Sequence, residues 1–235
     1  LAAPGSGRGV IVLDPLGDLA GARRQLPFYR ELTEAPVLLG PAASVAAVEE
    51  AAAGVDWLHV DGHGRFDAAF PELSALLLAD GALDMARLAQ LHSVPDFVNL
   101  SGCRTGAWPR TADSGRYGLG GLLIRRGASW VIASSADLDN RLAADFNRAF
   151  YGAFFDGVGV GAAYRRALAE VALAHPAASW SNLLLLAGPD ASARNGDNSS
   201  RPSLPMVQAR QNATATGDPR IVDGPGPGDG PHEEL

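Results

Sequence analysis

Phe97-Val98-Asn99-Leu100-Ser101-Gly102-Cys103-Arg104-Thr105-Gly106 is the stretch that decides how this chain folds. Its first four residues make an apolar, strand-sized run, and Ser101-Gly102 breaks that run where a chain would leave a sheet. Working outward, the same grammar recurs. Asp56 to Val60 is another strand that runs into the loop Asp61-Gly62-His63-Gly64, and Val10–Leu13 and Val37–Leu39 precede it. Trp130–Ala133 and Leu183–Leu186 follow. Helical spacing fills the intervals: Ala20 to Leu32, a helix capped by Ser44 and running to about Ala53, and a short one from Asp84 to about Leu91. It continues over Tyr117 to Arg126, Leu138 to Phe155 and Gly161 to Ala174. Leu76–Leu78 and Ala82-Leu83, with Asp80-Gly81 between them, read as a small hairpin. Short apolar strands separated by amphipathic helices predict an α/β sandwich with a mostly parallel sheet.

Composition narrows the function classes. With 47% hydrophobic and 19% charged residues, most of the 235-residue chain can bury a core. No apolar run approaches the roughly 20 residues that span a bilayer. The N-terminal residues lack the basic and apolar regions of a signal peptide, so a cytoplasmic protein is expected. The net charge is −7 and every basic residue is an Arg; no basic stripe marks a nucleic-acid footprint. Cys103 is the only cysteine, which excludes intramolecular disulfides and cysteine-rich zinc sites.

In such sheets chemistry gathers beyond the carboxyl ends of the strands. His63 and Cys103 both fall there. A thiol nucleophile needs an exposed position, a base and donors aimed at the developing oxyanion. Gly102 permits a sharp turn before Cys103, Thr105-Gly106 allow amides to converge near the sulfur, and Gly62 and Gly64 flank His63. A metal site built from His59, Asp61, His63 and Cys103 is the competing reading of the same residues, but no matching open-site ligand set is identifiable. His59 reads as an interior histidine. The glycines from Gly115 to Gly121 lack the Lys of a phosphate-binding loop, and no cofactor is expected.

The run Leu58-His59-Val60-Asp61-Gly62-His63-Gly64 resembles the histidine motif of CHAT domains, a caspase-like family often attached to repeat modules. Val98 to Gly106 resembles that family's cysteine motif, usually Ser-Ala-Cys followed by Thr-Gly. The similarity runs in order from Leu13–Leu19 through Leu76–Gly81 and Gly127–Ser134 to Trp180–Gly188, covering residues 9–189. The resemblance implies a caspase-like three-layer α/β/α sandwich and a peptidase related to separases, metacaspases and legumains. Cys103 would be the nucleophile, His63 the general acid/base, and the amides of Gly64 and Cys103 the oxyanion hole. Gly102 stands where the family commonly has Ala, which reads as a conservative change. Asp61 and Gly62 stand in place of small or aliphatic residues, adding a carboxylate near the dyad.

The resemblance also locates the S1 pocket: in the loop after the first strand, two residues before the cysteine, and in the loop after the following strand. Those places hold Asp14 and Asp18, Ser101, and Asp137 and Asp139; with Asp61 they would favour Arg or Lys at the cleaved position. Asp14 and Asp18 as turn formers and Asp137 as a helix cap is the structural alternative. The implied partners are a protein substrate and an activating partner or fused repeat module, in regulated bacterial defence or cell death. A catalytically silent adaptor with the same fold and another Cys-dependent hydrolase or acyltransferase are the competing functions. Residues 1–8 read as a lead-in, and 190–235 as a disordered tail rich in Gly, Pro, Asn and Asp. Its Asn198 and Asn212 sequons read as coincidental.

Overall fold

In the computed structural model, residues 7–108, 118–176, 180–189 and 191 are described. The chain divides into one unit of Leu1–Asn198 and a second of Ser199–Leu235. The second unit lies outside the described residues. So do nearly all of the expected tail, its sequons, and the Gly115–Tyr117 lead into a helix.

Six strands form the main sheet: β1 (Gly9–Leu13), β2 (Val37–Leu39), β3 (Trp57–Asp61), β7 (Phe97–Ser101), β8 (Trp130–Ser134) and β9 (Leu183–Ala187). Their spatial order is β2-β1-β3-β7-β8-β9, parallel throughout except for the antiparallel β8–β9 edge. Alternation along each strand explains the layers. Val10 and Val12, Leu58 and Val60, and Val98 and Leu100 all point to one face. There they meet α3 (Val45–Ala52), α4 (Met85–Gln90) and α5 (Leu119–Arg125). Ile11 and Leu13, Trp57 and Phe97 point to the other, against α2 (Leu26–Leu32), α6 (Asn140–Phe155) and α7 (Val160–Ala174). The three-layer α/β/α sandwich is therefore real, with a buried parallel sheet at its centre.

Three elements differ from the expectation. The helix foreseen over Ala20 to Leu32 is two, α1 (Ala20–Arg23) and α2, because Pro27 sits in the first turn of α2 and restarts the helix. The hairpin is a three-stranded sheet of β4 (Gly64–Arg65), β5 (Ala75–Leu78) and β6 (Gly81–Asp84). Its turn falls one residue earlier, since Leu78 pairs with Gly81 and Asp80 accepts the Val45 amide at 2.7 Å. At the start of α6 the cap is Asp139, whose carboxylate accepts the Arg141 and Leu142 amides, and not Asp137.

Registers at the carboxyl edge position the site. Leu13 lies opposite Asp61, and Asp61 opposite Ser101. Beyond these pairs the Asp14 amide donates to the Asp61 carbonyl at 2.9 Å, so three chain exits leave the sheet side by side.

Candidate active site

Beyond β7 the chain turns sharply, and Thr105 pins the turn. Fully buried, its Oγ1 lies 3.1 Å from the carbonyls of both Leu100 and Gly102 and accepts the Ser134 amide at 3.2 Å. The amides of Arg104 and Gly106 donate to the carbonyls of Ala136 and Ser134, so neither is free to turn toward the sulfur. Instead the Leu138 amide, next to the start of α6, donates to Cys103 Sγ at 3.4 Å. Arg104 adopts φ +56°, and its guanidinium grips Asp137 through two bonds of 2.8 and 3.0 Å. This clamps the loop after β8 against the loop that carries Cys103. The Arg104 bond holds Asp137 below the usual carboxylate range, and the Leu142 amide does the same for Asp139.

His63 leaves β3 through Gly62 and is tied to the small sheet by the Leu77 amide, which donates to its carbonyl at 2.9 Å. The histidine and cysteine loops meet backbone to backbone. A Cβ on Gly64 would sit 2.3 Å from the Cys103 carbonyl oxygen, and one on Gly102 would sit 2.5 Å from the Gly62 carbonyl oxygen. Both positions need glycine for this close approach. Exchanging Gly102 for Ala is thus not conservative in this backbone: the side chain would push the two loops apart. The same packing leaves the Gly64 nitrogen 3.3 Å from that Cβ position, beside the turn that carries Cys103.

The structure brings His63, Cys103, Asp61 and Ser101 onto one cavity of about 250 Å³, closed by Leu19, Ala22, Gln25, Leu138, Asn140 and Ala143. Among the described residues, no hydrogen bond joins His63 to Cys103. The His63 Nε2–H donates to Asp18 Oδ1 at 2.8 Å. Among the described residues Asp61 is the acidic side chain on the cavity wall. It is buried, accepts a bond of 3.0 Å from Gln25 Nε2, and titrates at about 7, raised first by burial and then by the charge of Asp14. Gln25 Oε1 is buried without a partner among the described residues.

The other expected carboxylates stand elsewhere. Asp14, Asp18, Asp137 and Asp139 are not among the cavity's lining residues. Asp14 is buried at φ +48° and holds Arg23 Nε and the Leu19 amide, each at 2.8 Å. Behind the cavity runs a buried polar network. Asn147 Nδ2 on α6 donates to Ser101 Oγ at 3.0 Å, and its Oδ1 accepts from Asn99 Nδ2 at 3.1 Å. Asn99 also reaches Tyr151, and His59 Nε2 shares a 3.0 Å bond with the Tyr29 hydroxyl. Burial holds His59 neutral, with its pKa lowered to about 3, and raises those of Tyr29 and Tyr151. His59 is therefore committed inside the protein. Among the described residues no group of His, Cys, Asp or Glu is arranged to hold a metal ion.

A buried parallel sheet with a histidine and a cysteine at adjacent strand exits defines the class: a caspase-like cysteine protease fold. Solved structures with this fold include the Arg-specific cysteine proteinase gingipain R, at 11% identity and a TM-score of 0.57 over 77% of this chain and 46% of that one. The complex of the pro- and mature domains of Porphyromonas gingivalis RgpB matches at 10% identity, TM-score 0.57, over 77% and 47%. The Saccharomyces cerevisiae separase–securin complex matches at 11% identity, TM-score 0.58, over 77% and 12%. The chain thus spans less than half the length of the gingipain chains and about an eighth of separase. No curated protein matches it in sequence. The CHAT domain model matches residues 12–204, and the chain belongs to the CHAT domain family. That match runs past residue 189, where the sequence pattern ended the domain.

Proposed function

We propose that the chain is a cysteine endopeptidase that cuts protein substrates after a basic residue. The observation that carries this reading is the shared cavity, where the thiol of Cys103, the imidazole of His63 and the carboxyl of Asp61 meet. Cys103 Sγ attacks the scissile carbonyl; the sulfur–carbon bond forms as the carbonyl π pair moves onto oxygen. The amides of Gly64 and Cys103, on loops that pack backbone to backbone, receive that oxyanion. His63 takes the thiol proton and gives it to the leaving nitrogen as the carbon–nitrogen bond breaks. Water, deprotonated by His63, then cleaves the thioester and restores the thiol. Free-enzyme hydrogen bonds of this kind are often formed only in the substrate complex, which accords with the separate partners of His63 and Cys103.

Asp61 supports the basic preference. Among the described residues no Lys or Arg lines the cavity, so a guanidinium entering it meets an acidic wall there. The Arg specificity in gingipain R's name points the same way. An activating partner or fused repeat module, and a role in bacterial defence or cell death, complete the proposal on family grounds. Among the described residues no helix is long and apolar enough to cross a membrane.

The test is a peptide library with all residues at the cleaved position, combined with an arginyl acyloxymethyl ketone that labels the thiol. Cleavage after Arg or Lys and a mass shift at Cys103 are expected, both abolished in Cys103→Ala with the fold intact. Cleavage that survives in Cys103→Ala removes the peptidase reading. A library profile without basic enrichment removes only the S1 assignment.

A further inference from the structure

The loop between β1 and α1 delivers a carboxylate to the base. Asp18 Oδ1 accepts from His63 Nε2 at 2.8 Å, yet Asp18 does not line the cavity that a cleaved residue's side chain would enter. Its loop is braced. The Asp14 carboxylate takes the Leu19 amide on Oδ1 and Arg23 Nε on Oδ2, both at 2.8 Å. The Asp14 carbonyl accepts the Gly17 amide at 3.1 Å, and the Asp14 amide donates to the carbonyl of Asp61 at 2.9 Å. Pro15 packs on Gly62, where a Cβ would lie 3.1 Å from its Cδ. The loop carrying Asp18 is therefore fastened to the backbone carrying His63.

We propose that Asp18 is the positioning residue for His63. It holds the imidazole as the Nε2–H tautomer and faces the positive charge that forms there during turnover. This rests on the dyad reading above. With Nε2–H committed to the carboxylate, the ring's lone pair lies on Nδ1. The thiol proton then goes to Nδ1 and from Nδ1 to the leaving nitrogen, while Asp18 stays ionised throughout. Both side chains are partly exposed, at 37% and 58%, so the pair adds little to stability. Its effect belongs in turnover.

The experiment compares the full chain with Asp18→Ala and Asp18→Glu on an arginyl peptide amide, and reads the His63 ring nitrogens by 15N NMR. Asp18→Ala is expected to lower kcat about 100-fold while KM and the urea midpoint hold, and Asp18→Glu to recover part of the loss. The wild-type spectrum is expected to show the Nε2–H tautomer, replaced by a tautomer mixture in Asp18→Ala. An unchanged kcat overturns the proposal, and so does a loss carried by KM for arginyl substrates alone, which would make Asp18 a substrate contact. A wild-type Nδ1–H tautomer overturns it even in a chain without turnover. The dyad reading fails separately, through cleavage that survives in Cys103→Ala.

Discussion

The carboxyl ends of β1 and β3 lie side by side, and each is followed or closed by a buried aspartate. Asp14 and Asp61 are only 1% and 7% exposed, yet they behave differently. Asp14 faces a guanidinium and a backbone amide; Asp61 has a neutral amide from Gln25. The first carboxylate is satisfied from within and builds a loop. The second is pushed up to about 7, because burial and its neighbour's charge both oppose ionisation. Strand-end position does not assign a role to an acidic residue. The counter-charge the fold supplies, or withholds, does.

Breaking the Asp61 side has the largest expected effect. Asp61→Asn is expected to cut kcat/KM for arginyl substrates about 100-fold, with little change for substrates bearing a neutral residue. Titration sharpens the same contrast: Asp61 gains its charge as pH rises through about 7. The arginyl-to-neutral ratio of kcat/KM is expected to climb across that interval, and to stay flat in Asp61→Asn. Taking the ratio cancels the titration of the dyad itself.

On the other side, Asp14→Asn strips Arg23 and the Leu19 amide of their charged acceptor. A loss of about 2 kcal/mol is expected at pH 7, read from urea midpoints. The effect of Asp61 on stability is of opposite sign. The folded-state pKa of Asp61 lies above its unfolded value, so native protein binds this proton more tightly between about pH 4 and 7. The stability this group contributes is full below pH 4 and is lost as pH rises through 7. Asp61→Asn is therefore expected to stabilise by about 4 kcal/mol at pH 8 and by almost nothing at pH 4. A stabilising Asp14→Asn or a destabilising Asp61→Asn at pH 8 would dissolve the distinction between the two ends.

The strands, their helices and the exits bearing His63 and Cys103 were legible because each is a local pattern of apolar period and breaker residues. Pro27 carried the signal for the break between α1 and α2, but the apolar spacing on either side masked it. The partners of the acidic residues were harder to read. Arg23, Arg104 and Gln25 reach Asp14, Asp137 and Asp61 across 9, 33 and 36 positions, and charge type alone does not say which pairs form. The Leu138 amide had no sequence signature at all, since every residue but proline offers the same N–H. Asn99 and His59 interrupt strands on the face toward α6 and α7, and that polarity was a readable hint of the network behind Ser101.

The register that sets Asp61 opposite Ser101 joins segments some 40 positions apart, and the one that sets Leu13 opposite Asp61 joins segments still farther apart. Parallel pairings of this span form slowly, because chain closure must precede any gain from contact. Helices can appear early; the meeting of imidazole and thiol cannot. A chain emerging from synthesis, or one that has lost its central pairing, carries both groups but no cavity between them. On the proposed function, proteolytic competence becomes a property of the finished sheet, and an unfinished molecule poses no threat to its neighbours.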